Sequence, residues 1–392
     1  MINLLLFTLI IYFFSPSSYL SDNFPVRVSD LALLLGLIPL TYLIGKNIAK
    51  INVGVPIMFY ILFLCSMILS FVINASDANI LFIFKMLSYI FFYFVGQILF
   101  INNFNLNKVV VYFLGISLIT LIIYPIEANS IWETVDRITL TFIGPYNVGL
   151  VFAMVFFMDK NFYFKFVSLI FVLLSGSRTM LIATIVYELF ERIISKSRLA
   201  IPLSLIFILG AMSFISVSEN NRLVNGLSKA ENTFLIAMDN SIHRNPTATK
   251  FDYENILFHT RGDRITDHSK NGVEIDFSLY LRFMTWFDVL RNNLQNNSNF
   301  LFGMGPGFYE SSTDGSYVRI FGENGILGLS LYILFLLYSY KYLKVHDKQG
   351  VVIMFAVSGL MIDTFYSSIG VPFLLIILGF VENIPQKKVN ET

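Results

Sequence analysis

The chain has 392 residues, 56% hydrophobic and only 14% charged, with a formal net charge of +1. Soluble domains carry about a quarter charged residues, so the composition excludes an ordinary soluble protein and predicts an all-α polytopic integral membrane protein. A near-neutral balance without a long basic block argues against nucleic acid. A single cysteine, Cys65, rules out an intramolecular disulfide, and four scattered His without zinc spacing point to no metal and no cofactor.

Apolar runs predict about 12 transmembrane helices, at 2–19, 28–45, 54–74, 79–100, 109–125, 140–158, 162–175, 179–191, 199–217, 320–340, 350–364 and 366–382. The first run lacks the basic start of a signal peptide and reads as a span. Runs seven and eight are shorter than the roughly 17 residues of a full crossing, so they also fit a re-entrant hairpin. Lys46, Lys50, Lys108, Lys160, Lys165, Arg192, Lys196, Arg198, Lys341, Lys344, Lys348, Lys387 and Lys388 all fall in alternate loops or the tail. The other short loops carry mainly acids, with Arg27, Arg137 and Arg178 as their bases. Positive charge gathers on the cytoplasmic side, so both termini are expected in the cytoplasm. The expected organisation is a membrane domain over 1–217, a large outer loop over 218–319, three further spans over 320–383 and a cytoplasmic tail over 384–392.

Within the outer loop, Asn240 to Asp276 is dense in charge and carries the turn signals Asn245-Pro246 and Asn271-Gly272, which reads as irregular surface. Ser278 to Leu294 differs. Phe283, Trp286, Phe287, Leu290 and Leu294 recur at three- and four-residue steps, predicting an amphipathic helix along the bilayer boundary with Arg282 and Arg291 in the head-group layer. Gly303-Met304-Gly305-Pro306-Gly307 has no βαβ surroundings, so it reads as a sharp turn and not as a dinucleotide fingerprint.

Four segments occur in order: Ser175-Gly176-Ser177-Arg178-Thr179; Arg282 ahead of Trp286; Leu301 to Gly307; and Asp314 to Ile320 closing on Glu323-Asn324-Gly325-Ile326-Leu327-Gly328. Together they resemble the signature of the O-antigen polymerase (Wzy) family, within the O-antigen ligase and polymerase superfamily. The resemblance covers about 175 to 329. It implies a glycosyltransferase of surface polysaccharide or lipopolysaccharide biosynthesis in the bacterial inner membrane, with a periplasmic site, in which Arg178 and Arg282 hold the diphosphate of an undecaprenyl-linked oligosaccharide. Ligases of the superfamily carry a functional His eleven residues before the Gly matching Gly325; Asp314 stands there in this chain, which favours the polymerase branch. The implied partners are the lipid-linked oligosaccharide, membrane lipids, a chain-length regulator and a flippase.

Chemistry leads to the same class of site. The outer face of an inner membrane has no supply of nucleotide sugars, so glycosyl transfer there needs a donor already activated on a lipid. Planar, permanently charged guanidinium groups neutralise a departing diphosphate, each fixed donor contributing on the order of 10² to 10³ in rate. A carboxylate base toward the acceptor hydroxyl contributes roughly 10² to 10⁴, and Asp314 and Glu323 are the candidates. Arg319, Tyr317 and Lys85 are further candidates for substrate binding. Each has a plainer alternative: Arg178 as an outer anchor, Arg282 stacked on Trp286, Asp314 as a turn residue, Glu323 at a helix start, Lys85 snorkelling. Two other functions stand beside the polymerase: a ligase moving glycan to lipid A core or protein, and a transporter or lipid flippase.

Overall fold

The computed structural model describes residues 1–14, 19–21, 24–74, 79–123, 145–158, 161–175, 177–194, 231–239, 277–309, 315–365, 367 and 369–384. The expected ninth span at 199–217, most of the outer loop and Asp314 lie outside them. Described helices, in chain order, are α1 (Ile2–Phe14), α2 (Val28–Asn47), α3 (Val55–Ile73), α4 (Ile80–Ile101), α5 (Leu106–Ile123), α6 (Pro145–Phe156), α7 (Phe162–Leu174) and α8 (Arg178–Ile194). They continue with α9 (231–239), α10 (Phe277–Gln295), α11 (Asn297–Phe302), α12 (Ser316–Lys344), α13 (Gln349–Ser358) and α14 (Gly370–Glu382). A short antiparallel hairpin, β1 (Tyr19–Ser21) with β2 (Phe24–Arg27), precedes α2.

The protein is a helical membrane protein. Among the described residues, four helices are long and apolar enough to cross a bilayer: Val28–Lys50, Val55–Ile73, Ile80–Ile101 and Ser316–Lys344, and six shorter apolar helices accompany them. α1 is described over Ile2–Phe14, and Tyr19, where the expected first run ends, opens β1. The run at 350–364 is helical only to Ser358.

The helices gather into two units. The first comprises 1–61, 85–184 and 332–392; the second comprises 62–84 and 185–331. In the first, α4 and α14 approach through two glycines. A Cβ on Gly96 would overlap the Ile376 carbonyl, and one on Gly379 would overlap the Tyr93 carbonyl. Small residues allow this backbone approach where lipid leaves little hydrophobic drive between helices, so dispersion carries the packing. Phe152 of α6 stacks on Phe171 of α7, centroids 4.1 Å apart and planes 9° apart.

The second unit is built around a break in α12. Gly325 takes φ 65° and ψ −168° inside an otherwise helical run, so α12 is two half-helices joined at that residue. Val289, Phe308, Tyr309 and Phe321 form its apolar core, and Ala237 packs with Tyr280 and Met284 in a second cluster.

Candidate functional site

A break in a helix removes intrahelical partners from the carbonyls before it, and a buried carbonyl left alone is costly. Here other segments supply the donors. Asn293 Nδ2 of α10 donates to the Phe321 carbonyl at 2.6 Å, and Ser70 Oγ of α3 donates to the Glu323 carbonyl at 2.8 Å. The Met304 and Gly305 amides donate to the Gly322 and Glu323 carbonyls at 2.8 and 3.0 Å. The glycine-rich turn at 303–307 is therefore a clasp on the break. Gly303 (φ 75°) lies against the Glu323–Asn324 backbone, and Gly325 lies against the Leu301–Phe302 backbone. A Cβ on Gly303 would overlap Glu323, and one on Gly325 would overlap Leu301.

On the half-helix before the break, Arg319 Nε lies 2.9 Å from Glu323 Oε1, with side chains 3% and 0% exposed. The guanidinium also sits over the Phe82 ring, 5.2 Å from its centroid. Both charges are thus held inside the second unit, where the ion pair joins successive turns. Asn324, next in sequence, is 1% exposed, and neither of its amide atoms has a hydrogen-bond partner among the described residues. An amide in that state donates and accepts at once, which suits a hydroxyl or a water.

The predicted amphipathic helix is present as α10, one residue longer at each end. Leu290 and Leu294 are 43% and 66% exposed, and Phe283, Trp286 and Phe287 are half-buried. The fully buried side instead carries Tyr280, Met284, Asp288, Val289, Asn292 and Asn293. Polar residues turn inward because they have partners there: Asn293 serves the break, and Asn292 Nδ2 lies 3.4 Å from the Tyr309 hydroxyl.

In the first unit, α7 ends at a serine turn that starts α8. Ser175 Oγ donates to the Val172 carbonyl at 2.7 Å and accepts from the Ser177 amide at 3.2 Å. Ser177 is buried, and Arg178 is the first residue of α8. Gly149 of α6 leaves room for the turn, since a Cβ there would lie 2.7 Å from Ser177 Cβ and 2.9 Å from Ser175 Oγ. The start of a helix presents unpaired N–H groups and partial positive charge, which favours an anion.

Of the predicted site residues, Arg178 and Lys85 belong to the first unit, while Arg282, Tyr317, Arg319 and Glu323 belong to the second. Lys85, Arg282 and Tyr317 are half-buried, on α4, α10 and the first turn of α12. Arg319 and Glu323 are brought together. Ser70, Asn74, Asp288 and Asn293 are the polar residues that sequence reading missed. Ser66, Ser70 and Asn74 recur at four-residue steps in an apolar span, a legible signal, and Asn74 Nδ2 donates to the Gly303 carbonyl at 3.1 Å. A scan against protein-family models gives no match to this chain, and a search of curated proteins gives none either.

Proposed function

We propose that the chain is an inner-membrane polysaccharide polymerase, which joins undecaprenyl-diphosphate-linked oligosaccharide units at the periplasmic face. In this reading it crosses the membrane about twelve times, with both termini in the cytoplasm. The acceptor hydroxyl oxygen attacks the anomeric carbon of the donor, the bond from that carbon to the diphosphate oxygen breaks, and the electron pair leaves on the diphosphate. The hydroxyl proton passes to a carboxylate, with Asp314 in that role. Arg178 and Arg282 neutralise the departing charge through charge-assisted hydrogen bonds.

The observation that carries the reading is the placement of Arg178. It is the first residue of α8 and follows a turn of small polar residues. A helix start is matched to a phosphate, because its first backbone amides are unpaired, and an Arg in that position of the sequence adds a permanent positive charge. The motif order along the chain supports the reading independently, and so does the clasp that the Gly-rich segment makes on the Glu323-Asn324-Gly325 break. In this reading Arg319, Glu323, Tyr317 and Lys85 contribute to substrate binding. A chain-length regulator and a flippase are the protein partners of this reading.

The test is to incubate the purified protein in lipid with synthetic undecaprenyl-diphosphate repeat units and to size the products. A ladder of glycan lengths on undecaprenyl is the expected result. Transfer of glycan to lipid A core or to protein marks a ligase, and translocation of labelled lipid with no new glycosidic bond marks a flippase.

A further inference from the structure

The segment that enters α3 is fastened to two helices of the first unit by one polar cluster. The Asn52 amide donates to Gln97 Oε1 at 3.0 Å, and Gln97 Nε2 donates to the Asn52 carbonyl, so α4 holds this residue by both of its backbone polar groups. Asn52 Nδ2 donates to Asn383 Oδ1 at 3.0 Å, just past the end of α14. The Tyr93 hydroxyl of α4 lies 2.8 Å from the Asn52 carbonyl, accepts from the Gly54 amide at 3.2 Å and is hydrogen-bonded to Glu382 Oε2 as well. Tyr93 and Gln97 are fully buried, Glu382 is half-buried and Asn52 is exposed. None of these residues takes part in the proposed glycosyl transfer.

Tyr93 has one proton to give and two lone pairs to receive with. The Gly54 amide fills one lone pair. Were Glu382 ionised, the carboxylate and the Asn52 carbonyl would both be acceptors, and the single phenolic proton would serve only one of them. With Glu382 as the neutral acid, its hydroxyl donates to Tyr93 and Tyr93 donates to Asn52, so the chain is satisfied from end to end. The surroundings favour the same state. Glu382 is the last residue of α14, where a helix carries roughly half a negative charge that opposes a carboxylate. No Lys, Arg or His among the described residues is paired with it, and the titratable groups that face it are Tyr93 of α4 and Tyr342 of α12. The Gly54 amide faces the carboxyl as well but donates to Tyr93. Oε1 is buried against Gly54, where a Cβ would fall on it, and has no hydrogen-bond partner among the described residues. An oxygen in that state costs far more on a carboxylate than on a neutral acid.

We infer that Glu382 is a proton-binding site whose proton latches the segment entering α3 to α4 and α14. When the proton leaves to water, Tyr93 turns its own proton to the carboxylate and Asn52 loses that donor. The latch is therefore closed while Glu382 is neutral and loosens as rising pH removes the proton. In the proposed topology Lys46 and Lys50 ahead of the segment, and Lys387 and Lys388 after α14, put this end in the cytoplasm. The exposed Asn52 brings the cluster to that surface, so the latch answers to cytoplasmic pH.

The test uses the full chain in nanodiscs and two variants: Glu382→Gln, which copies the neutral acid in size and donor, and Tyr93→Phe, which removes the relay. Infrared difference spectra at neutral pH should show a protonated-carboxyl band in the wild type that is missing from Glu382→Gln. A carboxylate band missing in its place overturns the inference. Hydrogen exchange at the Asn52 and Gly54 amides then reads the latch itself, each pH being compared between wild type and Glu382→Gln. The two should exchange alike at acid pH, and the wild type about tenfold faster at alkaline pH, the scale for one lost hydrogen bond. In Tyr93→Phe those amides should exchange fast, with no such dependence on the state of Glu382. A wild-type to Glu382→Gln ratio that stays constant with pH, or a dependence that persists in Tyr93→Phe, overturns the latch. So does failure of Glu382→Gln to fold, because the neutral form is the one the site is inferred to hold. Glycan synthesis is not a readout, so the polymerase reading stands or falls separately.

Discussion

Arg319 and Glu323 form an ion pair one helical turn apart, 2.9 Å between Nε and Oε1, with both side chains almost wholly buried. Removing one member of a buried pair leaves a charge without its partner, at a cost of about 3–5 kcal/mol, whereas replacing both with apolar residues is often neutral. Glu323→Ala should therefore destabilise the protein strongly, and the double change Arg319→Met with Glu323→Leu should recover much of the loss. Denaturant melts of the solubilised protein check the order. Equal loss in both would mean that the charges do not act as a pair.

The clasp gives a second expectation. Gly325→Ala puts a Cβ at a positive φ and into the Leu301 backbone, so a loss of about 2 kcal/mol or more is expected. Ser70→Ala removes one hydrogen bond to the Glu323 carbonyl and should cost about 1 kcal/mol or less. The ratio of the two, read from the same melts, tests whether backbone approach or hydrogen bonding dominates the break.

For the polymerase reading, Arg178→Ala and Arg282→Ala should each leave the protein inserted and at normal abundance. Long glycan chains should disappear, leaving single-unit products, with a rate loss on the order of 10² to 10³. Arg178→Lys should recover only part, because an ammonium does not reproduce the planar fork of a guanidinium. A full ladder of chain lengths in either Ala variant would remove these residues from the mechanism.

His346, in the turn between α12 and α13, has its pKa held below the usual 6.5, first by burial, then by Lys348, with Asp347 opposing. The folded protein disfavours the charged ring. Its contribution to stability is therefore complete above about 6.5 and declines as the pH falls below it, until the depressed folded value is passed. The ring is half-buried and close to solvent, so the effect is small. In His346→Asn the slope of melting temperature against pH in that window should flatten; an unchanged slope would assign it to other groups.

In α10 the sequence marks the helix but not the polar side that it buries. The periodicity of Phe283 to Leu294 correctly marks a helix, but which side it buries depends on surroundings. Periodicity alone does not say which, and in α10 the side bearing Asp288, Asn292 and Asn293 faces inward because partners wait there. The glycines at 303, 305 and 307 are legible as a turn. Their partner is not, because the contact with Gly322 and Glu323 is a tertiary one that no local pattern encodes. The same holds for Asn147 and Ser367, which meet across 220 positions of sequence. Arg319 and Glu323, by contrast, are four apart on a helix, and that spacing alone places them side by side.

The broken helix has a kinetic corollary. The carbonyls of Phe321, Gly322 and Glu323 are held by donors from three separate stretches of chain: α10, the turn after α11, and α3. Releasing any one of these strands a polar oxygen in an apolar interior, so none gains by leaving alone. The amide protons of Met304 and Gly305 should consequently exchange with solvent late and in step, as one cooperative opening, although they sit in a turn where rapid exchange is the norm.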